Sequence, residues 1–335
     1  MSLTLQAAGL SYRYPDQPNC LFEGVDLTLY AGDRVALLGA NGGGKTTLLE
    51  LLSGRLPLQE GRLTRHTEPF YLPQEDLLMD EVRALDAVLA TLPDLGPLRA
   101  ELSQMEGSGV PDPLRYAELL AVFAERGGYE VEAALESELG AFGYDPELLK
   151  RPLASLSGGE RRLLRLVAAF AHPREFYLLD EPTNHLDDRA VGYLTRKLQE
   201  TPAACLIVSH NRYFLDETVG AVVELGRGEL RRYNGDYSSF WAQKEAEFLE
   251  RTRRSAKLKR DITQLKEQER TYKVWGARKE KEKSGAADRG FIGARAARLM
   301  RRGIQAKERL QGRITDLEAA KPWIQKRYEV AFEEV

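Results

Sequence analysis

The chain has 335 residues, of which 43% are hydrophobic and 30% are charged. That length and composition predict about two domains, with a substantial core and a highly charged surface. Its two cysteines, Cys20 and Cys205, are far apart and match no metal-ligand spacing, which indicates a reducing cytoplasm. The first residues resemble a strand rather than a signal peptide, and no window approaches ~20 uninterrupted apolar residues. We therefore expect a cytoplasmic protein with no membrane partner.

The net charge of −3 conceals an uneven distribution. Residues 244–335 contain 25 Lys and Arg against 15 Asp and Glu, whereas the rest of the chain contains 23 against 36. An acidic body with a basic arm indicates a polyanionic partner for the arm. On charge alone, a pair of solvated, charge-rich helices explains the pattern equally well.

Strands are expected at 3–5, 10–14 and 25–30, with a turn at 15–18. Tyr14 precedes that turn. An aromatic residue there can stack on a nucleotide base, although most strand tyrosines are simply half-buried sheet residues.

A glycine-rich loop follows, between an apolar stretch at 34–38 and a helical stretch at 47–52. Its residues are Gly39, Ala40, Asn41, Gly42, Gly43, Gly44, Lys45, Thr46 and Thr47. They fit the spacing Gly, any four residues, Gly-Lys-Ser/Thr, in which glycines let successive N–H groups face one concavity at a positive helix end. Lys45 would reach the terminal phosphates and Thr46 would ligate Mg²⁺. The loop therefore predicts a nucleotide-triphosphate site rather than a simple turn.

A short strand at 70–73 ends in Gln74, which means little by itself. Residues 77 to about 160 then change character. Helical runs at 81–92, 115–126 and 131–142 are separated by Pro and Gly. We expect a helical subdomain inserted into an α/β core.

The sequence Leu-Ser-Gly-Gly-Glu comes next and opens a helix expected at 161–171; its last four residues are Ser157, Gly158, Gly159 and Glu160. Ser157 and Glu160 have the spacing of a capping box, which explains a helix start. Two glycines after the cap disfavour helix, but they suit a ligand that approaches the backbone at a positive helix end.

An apolar strand at 175–179 runs into two adjacent carboxylates, Asp180 and Glu181. In metal-assisted phosphate chemistry Asp180 would hold Mg²⁺ and Glu181 would polarise the attacking water. The simpler alternative is that the two carboxylates only mark the polar turn that follows the strand. A second buried strand, at 204–208, leads to His210. Such a histidine is usually structural, but beside a phosphate site it can hydrogen-bond a γ-phosphate.

In this order, Tyr14, the glycine-rich loop, Gln74, Leu-Ser-Gly-Gly-Glu, Leu-Leu-Asp-Glu and His210 resemble an ATP-binding cassette (ABC) domain over residues 1–235. The resemblance implies ATP and Mg²⁺ as cofactors and Glu181 as the catalytic base. It also implies adenine stacking by Tyr14, contact of Gln74 with Mg²⁺ and water, a D-loop at Asp187 and γ-phosphate sensing by His210. In this family the serine and second glycine of Leu-Ser-Gly-Gly-Glu contact ATP held by the opposite domain, so the active unit is a head-to-tail pair.

The runs at 180–187 and 233–240, followed by a long charged segment, resemble the soluble ABC-F branch. Members carry two cassettes joined by a linker that reaches ribosomal RNA and the P-site tRNA, and 288–300 looks most like the linker tip of antibiotic-resistance members. Residues 326–335 would begin a second cassette, so a longer protein and a half-size form that pairs with its own copy both stay open. The chain departs from the family at Gly43, where Ser or Ala is commoner, at Thr46, where most have Ser, and at Arg161, where Gln is common.

Residues 236–325 form the basic arm. Apolar residues at 4-3-7 spacing in a proline-free stretch from 238 to about 283, and at 4-3 spacing near 310–317, predict an antiparallel coiled-coil hairpin that turns near 284–285. The residues proposed to bind RNA near the turn are Arg278, Lys279, Arg289, Arg295, Arg298, Arg301 and Arg302. Arginine with nearby Trp275 and Phe291 suits phosphate contact and base stacking.

The sequence thus predicts an α/β P-loop cassette at 1–235, with a helical subdomain at about 77–160, and a helical-hairpin arm. The leading function is a Mg²⁺-dependent ATPase that acts on the ribosome. The alternatives are the ATPase subunit of an ABC transporter and a DNA-associated ATPase with a coiled coil.

Overall fold

The computed structural model describes residues 2–73, 82–92, 94–171, 174–226, 229–283, 308–309 and 312–315, with only the backbone at 269 and 272–283. The described residues fall into two compact units that divide after Phe240. No helix in these ranges is both long and apolar enough to cross a membrane.

Nine strands are named here in chain order. They are β1 (Leu3–Tyr12), β2 (Phe22–Tyr30), β3 (Arg34–Gly39), β4 (Glu60–Arg65), β5 (Phe70–Leu72), β6 (Phe176–Asp180), β7 (Ala204–Val208), β8 (Ala221–Gly226) and β9 (Glu229–Asn234). Strands β2, β1 and β4 form an antiparallel sheet. The larger sheet has the order β5-β6-β7-β3-β8-β9 and is parallel except for β9.

The first strand differs from the sequence expectation. The two short stretches expected at 3–5 and 10–14 form one strand, β1, which shifts register against β2 between Ala7 and Leu10. Gly9 adopts φ 63 at that point, and its N–H donates to Asp26 Oδ1 at 2.8 Å. A glycine bulge therefore keeps the strand continuous where the residue pattern breaks.

The helices are also named in chain order. They are α1 (Lys45–Ser53), α2 (Ala84–Leu89), α3 (Gly96–Gly107), α4 (Pro113–Glu125), α5 (Gly128–Ala141), α6 (Gly158–Ala171), α7 (Asp188–Glu200), α8 (Arg212–Thr218) and α9 (Tyr237–Lys283). Helices α2 to α5 lie between β5 and β6 in the chain, and α5 packs against α6. Helix α3 adds to the helical runs expected from the sequence.

The central strands β6, β7, β3 and β8 of the large sheet are buried on both faces, because successive residues pack in two different hydrophobic clusters. Leu178 packs in the cluster that contains β1, β2 and α1, whereas Leu179 packs in the cluster that contains α2 to α8. Burial on both faces is typical of parallel strands. It fixes the register, and so it fixes the strand ends from which the functional loops leave.

Helix α9 runs for 47 residues without interruption. Its first turn is bonded to α8, because Asp216 accepts from the Ser238 N–H at 2.6 Å and from the Ser238 hydroxyl at 2.8 Å. Asp236 caps the helix by accepting from the Ser239 N–H at 2.8 Å, and Phe240 packs edge-on against Tyr233. Most of the expected second helix of the hairpin, and its turn, lie outside the described residues.

Candidate functional site: a phosphate-binding cleft

The glycine-rich loop joins β3 to α1, and its backbone requires glycine. Gly42 and Gly44 have φ values of 72 and 93, in the left-handed region that glycine adopts without strain. A Cβ on Gly39 would lie 2.6 Å from the Leu225 carbonyl oxygen. The Gly43 N–H closes the loop on the Ala40 carbonyl at 3.0 Å. The loop therefore curls tightly at the positive end of α1, where an anion is favoured.

Lys45, the first residue of α1, folds back over this loop. Its Nζ donates to the carbonyl oxygens of Gly39 at 3.0 Å and Ala40 at 3.1 Å. Burial lowers the pKa of Lys45, while Glu181 and Asp180 oppose that shift. The ammonium group is thus held where it can contact the outer phosphates of a nucleotide bound to the loop.

Thr46 and Asp180 bring two oxygen ligands together. The Thr46 hydroxyl donates to Asp180 Oδ2 at 2.7 Å, and Asp180 is buried at the carboxyl end of β6. Burial raises the pKa of Asp180, and the Thr46 hydrogen bond opposes the shift. Hydroxyl and carboxylate oxygens suit Mg²⁺. Within the described ranges no group of three or more His, Cys, Asp or Glu could hold a metal, so a cation here would also need phosphate and water ligands.

Glu181 follows Asp180 in an unusual backbone conformation, with φ 52. Its side chain is buried; Oε2 accepts from the His210 N–H at 3.1 Å, and Oε1 lies 3.4 Å from His210 Nε2. Oε1 makes no hydrogen bond in the described part of the chain. Burial raises the pKa of Glu181 to about 7, against the His210 N–H, which lowers it. A carboxylate with an open acceptor and a pKa near neutrality is suited to general-base chemistry.

His210 lies two residues beyond β7 and faces the same cleft. Burial lowers the pKa of His210, and the positive charge of Lys45 lowers it further. A neutral imidazole is therefore favoured beside Glu181, and it can donate or accept a hydrogen bond.

Tyr14 lies across the cleft and is bonded to the helix that follows the loop. Its hydroxyl and the Thr47 hydroxyl are 2.8 Å apart, and its ring packs edge-on against Tyr12 at 5.2 Å. Tyr14 lies two residues beyond β1 and is only partly buried, so the ring can offer a face to a ligand.

The cleft has a volume of about 480 Å³. The predicted site residues that line it are Tyr14, Asn41, Gly42, Gly44, Lys45, Thr46, Thr47, Asp180, Glu181 and His210. Gly39 takes part through its carbonyl. Sequence reasoning missed three further lining residues, Gln17, Leu21 and Val208. Gln17 belongs to the expected turn at 15–18 next to Tyr14, and that position could have indicated that it lines the cleft.

Ser157 to Glu160 do not line this cleft within the described chain. Ser157 and Glu160 form the expected capping box at the start of α6: Glu160 Oε2 accepts from the Ser157 N–H and hydroxyl, both at 2.8 Å. The Ser157 N–H lowers the pKa of Glu160. A Cβ on Gly159 would lie 2.9 Å from the His185 carbonyl. Asp187 also lies outside the cleft lining, where it caps α7 by accepting from the Ala190 N–H at 2.8 Å.

Several predicted site residues lie outside the described residues. They are Gln74, Arg289, Arg295, Arg298, Arg301 and Arg302. Arg278 and Lys279 lie on α9, where the backbone alone is described.

A glycine loop between a parallel strand and a helix, with a strand-end carboxylate bonded to its threonine, defines a P-loop nucleotide-binding domain. Two family models, both described as ABC transporter, match residues 22–184 and 223–287. The chain belongs to the ATP-binding cassette family, in its F branch.

Three curated relatives illustrate that membership. The tylosin resistance ATP-binding protein TlrC of Streptomyces fradiae is 36% identical over 258 residues, which are 73% of this chain and 46% of TlrC. Human ATP-binding cassette sub-family F member 3 is 35% identical, covering 70% of this chain and 33% of that protein. The energy-dependent translational throttle protein EttA of Mycobacterium tuberculosis is 29% identical, covering 73% and 45%. The chain spans less than half the length of each.

A solved structure titled "Structure of ATP binding subunit of ABC transporter" supports the fold alone. It superposes with a TM-score of 0.53 at 21% identity and covers 69% of this chain and 90% of that one. The expected cassette fold is therefore confirmed.

Proposed function

We propose that this chain is a Mg²⁺-dependent, ATP-hydrolysing cassette with an adjoining arm that contacts ribosomal RNA and tRNA. The observation that carries the hydrolytic part is the Glu181 carboxylate. It is buried next to Asp180, its pKa is raised to about 7, and its Oε1 has no hydrogen-bond partner among the described residues. A general base must be close to neutrality in pKa and must have an open acceptor for a water proton.

Each residue of the cleft has a separate role in ATP binding or hydrolysis. ATP bound with Mg²⁺ supplies the phosphoryl group that is transferred to water. The loop and Lys45 bind its phosphates, while Thr46 and Asp180 would hold the cation, with Gln74 as a further ligand. Glu181 would accept the proton of the attacking water. Tyr14 would stack on adenine and His210 would hydrogen-bond the γ-phosphate, since both face the cleft.

A second cassette is part of the proposal. Ser157, Gly158, Gly159 and Glu160 lie outside the cleft lining, so they are free to serve a nucleotide bound elsewhere. They would contact ATP held by an opposing cassette, from the same longer chain or from a second copy, with the D-loop Asp187 at that junction. The relatives are more than twice as long as the part that matches, which leaves room for a second cassette.

The ribosomal part rests on charge and on the relatives. Residues 244–335 have an excess of ten positive charges in a chain that is otherwise acidic, and their first part forms the polar helix α9. EttA is named as a translational throttle and TlrC as a resistance protein for tylosin. A basic arm is suited to RNA because binding releases counterions from the phosphates. Arg278, Lys279, Arg289, Arg295, Arg298, Arg301 and Arg302 would make these contacts with rRNA and the P-site tRNA.

The hydrolytic role is tested with Glu181→Gln, which keeps the side-chain shape but removes the base. Turnover of ATP should fall by roughly 10²- to 10⁴-fold while ATP binding is kept. Glu224→Gln is the matched control, because Glu224 is a buried carboxylate of the same sheet that bonds Tyr233 and lies outside the cleft lining. Turnover of Glu181→Gln within threefold of the parent would reject the assignment.

The arm is tested by charge reversal of Arg295, Arg298, Arg301 and Arg302 to Glu. Co-sedimentation with ribosomes should be lost, and binding by the parent should weaken steeply with salt. The parent and the charge-reversed variant both carry Glu181→Gln and are assayed with ATP at two salt concentrations. Each is tested as the 335-residue chain and as a longer form with two cassettes. The matched control reverses Arg251, Arg253, Arg254 and Arg260 on the first part of α9. If the first variant pellets like its parent at both salts, the arm is a spacer and only the ATPase proposal stands.

A further inference from the structure

Arg162 is a buried cation to which the proposed chemistry assigns no task. It is the fifth residue of α6, two positions after Glu160 of the capping box, and its exposed fraction is 2%. Burying a charged group is costly unless it is hydrogen-bonded. Its place in the molecule therefore needs an explanation from its contacts.

Among the described residues, the guanidinium of Arg162 donates to the backbone carbonyls of Pro73, Asp180 and Glu181. Nη1 donates to Pro73 at 3.1 Å, and Nη2 donates to both Asp180 and Glu181. A planar guanidinium offers several N–H donors in a fixed fork, which a lysine lacks. Arg162 thus joins the start of α6 to the end of β6 and to the residue that follows β5.

Of the three residues bonded by Arg162, Glu181 has the most unusual backbone conformation. With φ 52 it lies in the left-handed region, which is strained for any residue other than glycine and persists only where the surroundings hold it. Its N–H donates to the Val208 carbonyl at 2.8 Å, and its Oε2 accepts from the His210 N–H. The Glu181 carbonyl accepts from Arg162 Nη2 and also from the Asn184 N–H at 3.2 Å, so Arg162 adds a side-chain bond from α6 to the one made within the turn.

We propose that Arg162 is a positioning residue that holds the Glu181 peptide in its left-handed conformation and so keeps the Glu181 carboxylate beside His210. The link to turnover rests on the function proposed above. The structural part does not, because it concerns only the geometry of the main chain.

Hydrogen exchange tests the structural part without any assay of activity. Arg162→Met should exchange the amide protons of Glu181 and His210 at least about 10-fold faster, because their hydrogen bonds open more often. The amides of Leu206 and Ile207, deep in β7, should be unaffected. Arg162→Lys keeps the positive charge but loses the fork of N–H donors. Its exchange rates at Glu181 and His210 should lie between those of the parent and those of Arg162→Met. If Arg162→Met fails to fold, the exchange rates of Arg162→Lys test the proposal in its place.

Arg99→Met is the matched control. Arg99 is another buried arginine, and its guanidinium donates to Asp86 at 2.6 Å in the helical part of the chain, outside the cleft lining. Its loss should lower the melting temperature without changing exchange at Glu181 and His210. A similar change in both variants would show that Arg162 is merely structural, and would overturn the proposal.

Steady-state kinetics tests the link to turnover. Arg162→Met should lower kcat by about 10- to 100-fold with the KM for ATP within about threefold, since misplacing a catalytic group by about 1 Å can cost 100-fold. In the Glu181→Gln background the same change should cost no further turnover, because Arg162 acts through Glu181.

The outcomes separate the two proposals. Unchanged exchange at Glu181 and His210 overturns the positioning role, and so does a loss of kcat that persists in the Glu181→Gln background. If the parent does not hydrolyse ATP, or Glu181→Gln is fully active, the proposed function falls. Faster exchange in Arg162→Met would still establish what Arg162 holds.

Discussion

In the nucleotide cleft the carboxylates of Asp180 and Glu181 are buried and hydrogen-bonded, whereas most charged side chains described on α9 are exposed to water. Asp180 and Glu181 are 1% and 3% exposed, while the Arg251 side chain on α9 is 46% exposed and lies 3.5 Å from the Glu247 carboxylate. In the cleft Lys45, Thr46, Asp180 and Glu181 each make defined hydrogen bonds, so a single substitution should have a large effect. On the arm only the summed charge is organised, so single substitutions should have little effect.

The largest expected difference concerns loss of one lysine from each region. Lys45→Ala should weaken ATP binding by about 100-fold or more, because a phosphate contact from a partly buried ammonium is lost. Lys257→Ala on α9 should change ATP binding less than about twofold, since Lys257 is exposed on the arm. Equilibrium titration with a fluorescent ATP analogue measures both. Similar affinities for Lys45→Ala and its parent would remove Lys45 from the phosphate site.

The next difference concerns pH and stability in the absence of nucleotide and Mg²⁺. The pKa of Glu181 is raised from 4.5 to about 7, so its folded form binds the proton more tightly than its unfolded form. Its contribution to stability is therefore complete below pH 4.5 and is lost as pH rises through 7, at a cost of about 3 kcal/mol at pH 8.

Glu181→Gln removes that cost. Its melting temperature should exceed the parent's by about 6 °C or more at pH 8, and the gain should shrink towards pH 5. Glu250→Gln, which removes an exposed carboxylate from α9, is the control substitution. A gain for Glu181→Gln that does not change with pH would contradict the expected burial penalty.

The smallest difference compares two ion pairs of the same chemistry. Arg99 and Asp86 are 2.6 Å apart with side chains 11% and 13% exposed, whereas Arg251 and Glu247 on α9 are 3.5 Å apart with side chains 46% and 34% exposed. Arg99→Ala should destabilise the fold by roughly 2 kcal/mol, and Arg251→Ala by less than about 0.5 kcal/mol. Denaturant titration measures the free energy of unfolding of both variants. Equal losses of that free energy would contradict the expected difference between the two ion pairs.

Much of the cleft was predictable because its residues lie in short motifs. Loop, lysine and threonine are consecutive, and Asp180 and Glu181 end an apolar run, so local spacing was enough to place them. The long helix α9 followed from a stretch without proline.

Other features depend on tertiary contacts that spacing does not record. Arg162 is separated from Pro73 by 89 positions, and only the packing of α6 against the large sheet brings them together. The one available signal was a charged residue beside the buried positions Leu163 and Leu166. The left-handed conformation of Glu181 was equally hidden, because glutamate has no preference for it. The single strand β1 was missed since its bulge at Gly9 interrupts the alternation of apolar residues.

Two hydrogen bonds join Ser238, in the first turn of α9, to Asp216 on α8. A helix of 47 residues rises about 70 Å at ~1.5 Å per residue. Helix α8, which carries Asp216, begins two residues after His210, at the wall of the cleft. The bonds of Asp216 therefore tie the first turn of α9 to a helix that starts beside the cleft.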